Sequence, residues 1–226
     1  MERDIDLDRI SDGRLYDSND MVKADCGDCR GCSACCRGMG NTVVLDPLDI
    51  FRMEGYLNCG FEQLLEEKLE LNVVDGMILP NLKMAGAQEA CGFLNSEGRC
   101  SIHPARPGIC RIFPLGRLYE NGEFRYFLQI HECRKENRAK VKVKKWIDTP
   151  DPVRYSQYIC DWHYFLKDAQ HVLEESAEEK MQKDWNLYLL RMFYLTPYRQ
   201  EDEFYPQFYQ RYFQAREVLE SMRRNE

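Results

Sequence analysis

The sequence predicts an α+β protein: an irregular, metal-stapled cysteine domain with short helices and β-hairpins, followed by C-terminal helices. Three observations carry this. Cysteines crowd between positions 26 and 133. Two turn dipeptides, Asp75-Gly76 and Asn121-Gly122, sit between alternating apolar runs, where both central positions want a positive φ. After Trp146 the apolar spacing becomes helical and stays so to the end. The predicted divisions are an acidic N-terminal lead-in over 1–25, a cysteine-cluster metal-binding domain over 26–148 and a helical C-terminal region over 149–226.

The opening "MERDIDLDRISDGRLYDSND" is acidic and has no apolar run, which predicts a poorly ordered lead-in, no signal peptide and a cytoplasmic setting. No stretch approaches the roughly 18 consecutive apolar residues of a membrane span. A chain of 226 residues can bury a real core without disulfides. Eleven cysteines in a reducing compartment therefore read as metal ligands rather than bridges.

Past the cysteine run, Asp46-Pro47 is a helix start, with a side-chain cap and a proline whose missing N–H does no harm. That helix carries Leu48 to about Gly55. "FEQLLEEKLE" follows with Phe61, Leu64, Leu65 and Leu69 at helical spacing. "LNVVDGMIL" predicts a hairpin. "CGFLNSEGRC" brackets a tight turn at Asn95 to Gly98, which brings Cys91 near Cys100. In "RIFPLGRLYENGEFRYFLQIHEC" a two-residue turn at Asn121-Gly122 sets Glu120 opposite Glu123 and Tyr119 opposite Phe124. Carried to the open end, the register places Cys110 across from Cys133, where both sulfurs reach one ion. Tyr119, Phe124, Leu115 and Leu128 take the core side. A helix starts at Asp151-Pro152, and two more cover about 177–195 and 203–223. The last carries Phe204, Phe208, Tyr212 and Phe213 as a packing stripe.

The chemistry lies in nine thiols: Cys26, Cys29, Cys32, Cys35, Cys36, Cys91, Cys100, Cys110 and Cys133. Cys26-x2-Cys29-x2-Cys32-x3-Cys36 has the spacing of the bacterial ferredoxin run, with Arg37 where that motif has proline. Its C-x2-C steps suit a tetrahedral zinc equally well, so thiolate chemistry leaves iron–sulfur cluster and zinc both open. Five upstream and four downstream thiols make two four-coordinate sites with one to spare, or three ions if some thiolates bridge. Arg30, Arg37, Arg99, Arg106 and Arg111 stand within a few residues of a ligand, where donors to sulfur offset thiolate charge. His131, two residues before Cys133, is a further candidate donor beside the metal, and His103 a weaker one. Cys59 and Cys160 read as buried hydrophobes, and His163 and His171 as helix-face residues.

Redox-couple chemistry is disfavoured, because no βαβ pattern surrounds Cys29 and Cys32. The C-x3-C-x2-C spacing of radical enzymes cannot be drawn, since Met39 stands where its third cysteine would be. The net charge of −7 argues against nucleic acid as a partner. The local exception is "RKENRAKVKVKK" over 134–145, read as a solvated strand with Val141 and Val143 inward. That basic strand and the helical C-terminus are the two candidate surfaces for a protein partner.

"CRGCSACC" followed by "CGFLNSEGRCSIHPARPGICRIFP" resembles the YkgJ-type cysteine-cluster family, described as zinc- or iron-chelating proteins. Cys29, Cys32, Cys35, Cys36, Cys91, Cys100 and Cys110 match its pattern, as do Arg106, Pro107 and Arg111. Cys26 and Cys133 lie beyond the shared core. The resemblance implies metal ions as ligands. A related protein, flagellin lysine N-methylase, is similar in its cysteine block, which implies S-adenosylmethionine only by analogy.

Overall fold

The computed structural model describes residues 6–27, 32–176 and 179–224. Cys29 and Arg30 lie outside them. The N-terminal segment departs from expectation. Residues 7–10 form a helical turn, α1 (Leu7–Ile10), followed by strands β1 (Ser11–Tyr16) and β2 (Met21–Asp25). β1 lies antiparallel to β8 (Glu123–Gln129), with Leu15 opposite Phe127 and Tyr16 opposite Tyr126. β2 lies antiparallel to β9 (Ala139–Lys142), with Val22 opposite Val141. Asp12, Arg14 and Lys23 face solvent, while Tyr16, Val22 and Ala24 are buried. An alternation of that kind, diluted by charge, is easily missed in sequence.

Helix α2 (Pro47–Leu57) begins as its sequence requires. The Asp46 side chain accepts from the Asp49 N–H, and the Asp49 side chain accepts from the Asp46 N–H, a reciprocal cap. It ends at Asn58 in the left-handed conformation, φ 52°. Helix α3 (Phe61–Glu67) leads into β3 (Leu69–Val74) and β4 (Met77–Leu82), which turn at Asp75-Gly76 with both φ positive. A two-residue pair, β5 (Met84–Ala85) and β6 (Ala90–Cys91), follows.

The expected hairpin is present in β7 (Leu115–Glu120) and β8, with the register intact from Glu120↔Glu123 to Leu115↔Leu128. Leu115 and Leu128 face the core. Across the other face, the Phe127 ring sits where a side chain at Gly116 would project, which leaves room only for glycine. The ladder does not reach Cys110. Residues Gly108–Ile112 form a short helix, α4, entered from Pro107. Pro114 supplies a carbonyl to the Gln129 N–H but has no N–H of its own to extend pairing. The expectation that Cys110 and Cys133 face each other across the strands is therefore wrong.

A short helix, α5 (Val143–Ile147), buries Val143 and Ile147 and continues from the basic strand. The C-terminal region packs α6 (Pro152–Glu175), α7 (Glu179–Leu190) with a π-helical turn at Arg191–Leu195, and α8 (Phe204–Arg224). Asp151 caps α6 by accepting from the Arg154 N–H. Phe165, Phe193 and Phe208 are wholly buried among these helices. Phe213, expected in the same stripe, is 61% exposed, because the buried face of α8 runs Phe204, Phe208, Ala215 and Leu219. One hydrophobic core runs through the cysteine region and the C-terminal helices together. Two tyrosines fix that union. The Tyr194 hydroxyl donates to the Leu45 carbonyl at 3.1 Å. The Tyr158 hydroxyl accepts from the Leu48 N–H at 3.1 Å and donates to Asp46 Oδ1 at 3.0 Å. Among the described residues no helix is long and apolar enough to cross a membrane.

Candidate metal centre

Three local structures carry the thiols to a common cavity. The first is a 3-10 turn at Ala34–Cys36, closed by the Cys36 N–H donating to the Ser33 carbonyl. It is tied sideways to β6: the Gly38 N–H donates to the Glu89 carbonyl, and Arg37 bridges to Ala90. This draws Cys35 and Cys36 toward Cys91. The second is the turn at Asn95 to Gly98, where Leu94 bridges to Cys100 and the Ser101 N–H donates to the Phe93 carbonyl. Cys91 and Cys100 are thereby neighbours, as expected. The third is α4, whose first N–H, at Gly108, donates to Asp49 Oδ1 at 2.7 Å. That bond anchors Cys110 to the cap of α2.

Cys32, Cys35, Cys36, Cys91, Cys100 and Cys110 all line one cavity of about 460 Å3. Arg99, His103, Arg106, Asp49, Arg117, Tyr119 and His163 line it too. A much smaller cavity, about 20 Å3, is lined by Cys26, Cys32, Cys35 and Cys133. The grouping thus differs from the expected one. Cys32, Cys35 and Cys36 share the large cavity with the downstream thiols, and Cys133 shares the small one with Cys26, Cys32 and Cys35.

The thiols of the large cavity resist ionisation. Cys35 is pushed up by its hydrogen bond to Cys36 and then by burial. Burial is the leading cause for Cys91, Cys100 and Cys110, and their mutual proximity adds to it. Cys110 also feels Asp49, which is itself pushed up to about 8 by burial and then by the charge of Asp46. A soft cation reverses this balance, because it binds the thiolate and displaces the proton.

The surroundings fit a metal–thiolate centre of net negative charge. Arg106 favours the charged forms of Cys35 and Cys100. Its Nε is buried and makes no hydrogen bond, which leaves a donor unmet on a residue that lines the thiols' cavity. Among the described residues no three His, Cys, Asp or Glu side chains are already grouped closely enough to hold a metal ion. The thiols line the walls of the cavity.

The other expected donors separate. His131 is exposed and lines neither cavity. Arg37 pairs with Ser33 and Gln88, away from the thiols. Arg111 is buried, but its guanidinium donates to the carbonyls of Pro104, Arg106 and Asp148, so it braces the backbone around Cys110. Cys59 and Cys160 line neither cavity. Sequence reading missed Asp49 as a neighbour of the thiols, together with Arg117 and Tyr119. Arg117 donates to the Tyr155 hydroxyl at 2.8 Å, and Tyr119 stacks on His163 with centroids 3.6 Å apart. Asp49 had a local signal, as a helix cap. The rest depend on contacts between distant segments.

The fold and these walls define a class: an α+β protein that gathers thiols from separate turns around one cavity. The chain belongs to the CxxCxxCC family, described as "Putative zinc- or iron-chelating domain", whose profile matches residues 28–145. It is also similar to an uncharacterized protein of Methanocaldococcus jannaschii, 25% identical over 169 residues, covering 69% of this chain and 85% of that one. No solved structure matches it.

Proposed function

We propose that this protein is a cytoplasmic metal–thiolate enzyme or enzyme accessory whose centre, an iron–sulfur cluster in preference to zinc, serves a small molecule admitted to the large cavity. One observation carries the reading. The cavity lined by Cys35, Cys91, Cys100 and Cys110 continues to Arg117, Tyr119 and His163, and about 460 Å3 exceeds what a closed four-thiolate ion needs. The metal would supply electrons or a Lewis-acidic position. The protein's own groups would set its surroundings, with Arg106 offsetting thiolate charge and the paired Tyr119 and His163 rings giving a flat wall. The ferredoxin-like spacing of the cysteine run supports iron–sulfur chemistry. The resemblance to the flagellin methylase nominates S-adenosylmethionine as the first small molecule to try.

Protein purified without oxygen tests this through its iron, zinc and sulfide content and its electron paramagnetic resonance spectrum. At least one metal equivalent per chain is expected, with a cluster signal that shifts when the small molecule binds. Tyr119→Leu should keep the metal and lose that shift. A colourless protein with stoichiometric zinc overturns the cluster assignment, and less than one equivalent of either metal overturns the whole reading.

A second reading, a zinc-stapled module that binds a protein partner, is favoured by the exposed Phe213 and half-buried Tyr209 on α8. It predicts that only closed, unreactive zinc is found and that Phe213→Ser abolishes a binding event without touching the metal.

A further inference from the structure

Arg117 stands in the middle of β7, directly across from Tyr126 of β8, and lines the large cavity. Aromatic groups of β8 and α6 flank its guanidinium. The guanidinium carbon lies 5.3 Å from the centroid of the Phe124 ring and 5.7 Å from that of Tyr155. Nη2 donates to the Tyr155 hydroxyl at 2.8 Å, while Nε is buried and makes no hydrogen bond. Burial pushes the phenols of Tyr119, Tyr126 and Tyr155 up, although the guanidinium works against it. They stay neutral and cancel none of its charge. Among the described residues Arg117 forms no ion pair with a carboxylate. Asp46 and Asp49 line the same cavity but are engaged elsewhere. Asp46 accepts from the Asp49 N–H and the Tyr158 hydroxyl, and Asp49 accepts from the Gly108 and Asp46 N–H groups.

We infer that Arg117 anchors a small carboxylate ligand, an organic monoanion whose apolar body occupies the rest of the large cavity. The inference rests on the reading above, in which that cavity admits a small molecule, and it names the chemical class of the molecule. A cation withdrawn from water is costly unless an anion or full hydrogen bonding compensates it. Aromatic faces supply only part of that compensation. A guanidinium presents its donors as a planar fork that matches a carboxylate, and here phenols and ring faces meet it without any anion. The walls suit an apolar body, since Leu115, Ile159, Trp162 and Leu166 line the same space. Its volume of about 460 Å3 falls within the roughly 300–1,000 Å3 of small-molecule sites. Charge narrows the class further. Asp46, Asp49, Asp75 and Glu132 also line the cavity, so a dianion such as phosphate meets like charge, and a monoanion meets less of it.

The test titrates the full chain, purified without oxygen, with hexanoate, benzoate and indole-3-acetate, with their primary amides and with inorganic phosphate. Calorimetry reads the binding, and metal content is measured on the same samples. At least one of the three acids should bind, about tenfold or more tightly than its amide and than phosphate. Arg117→Lys keeps the charge but loses the fork, and should weaken that acid about tenfold or more while metal content stays. Arg117→Gln should bring acid and amide to the same affinity. The comparison of acid with amide needs no variant, so it decides the matter even if a substitution unfolds the chain. Equal affinity for acid and amide in the unaltered protein overturns the inference, as does tighter binding of phosphate. Unchanged acid binding by a folded Arg117→Lys protein overturns it too. Metal present with no binding of any acid would sink this inference alone. Acid binding by a chain that holds no metal in any preparation would sink the metal reading and leave Arg117 as the anchor.

Discussion

Replacing Gly108 by alanine tests how the thiols are positioned. A methyl group there would stand 2.6 Å from the Tyr155 hydroxyl oxygen but 3.8 Å from the ring carbon that bears it. Tyr155 is 1% exposed, and its hydroxyl holds Arg117, so the ring has nowhere to retreat. Overpacking of this kind costs about 1–3 kcal/mol. Losing a helical glycine returns roughly 0.5–1 kcal/mol. The net is a destabilisation of up to about 2.5 kcal/mol, or a Tm lower by up to roughly 10 °C for a chain of this size. Tyr155→Phe alone strands a buried Arg117 donor and should cost about 1–3 kcal/mol. In the Tyr155→Phe background the nearest ring atom is at ordinary contact distance, and Gly108→Ala should become neutral or slightly stabilising. The two substitutions should therefore couple by about 1–3 kcal/mol, the overpacking cost that the second removes. Urea unfolding of the four proteins measures this, and metal content reports whether α4 still presents Cys110. Additivity within about 0.5 kcal/mol would refute the argument.

Other outcomes follow from the same geometry. Cys91→Ser and Cys100→Ser should lower metal content, whereas Cys59→Ser and Cys160→Ser should leave it unchanged by elemental analysis. Tyr158→Phe orphans the buried Leu48 N–H and removes a donor to Asp46, for a loss of about 2–3 kcal/mol in urea unfolding. Burial pushes Glu54 up from 4.5 to about 7. Because its folded value is raised, its stabilisation is fully present below 4.5 and is lost as pH rises through about 7. Stability should fall over that window, and Glu54→Gln should flatten the fall; an unchanged pH profile in that variant would disprove the assignment.

Much of this protein was legible locally. The α2 cap depends on Asp46, Pro47 and Asp49, adjacent residues whose hydrogen bonds close within one turn. Both two-residue hairpin turns follow from positive φ at Asp75-Gly76 and Asn121-Gly122. The register of β7 and β8 follows from turn length, because a ladder counts residues outward from its closed end. The proximity of Cys91 and Cys100 follows from the tight turn between them. Thiol identity and spacing sufficed to imply metal.

The tertiary structure decided what local rules cannot reach. Counting residues along the hairpin assumed that strand geometry continues to Cys110, yet Pro107 and Pro114 flank a short helix there, and a helix re-aims a side chain that a strand would have placed opposite Cys133. β1 and β2 are strands because distant partners, β8 and β9, pair their backbones, and charged solvent-facing residues hide that in sequence. Asp49, Arg117, Tyr119 and His163 reach the thiols' cavity through packing of α2, β7 and α6, separated by scores of residues. Which thiols share a wall is likewise a matter of three-dimensional contact: spacing names the donors, and only the packed chain sets Cys91, Cys100 and Cys110 around the large cavity, Cys133 at the small one, and Cys32 and Cys35 on both.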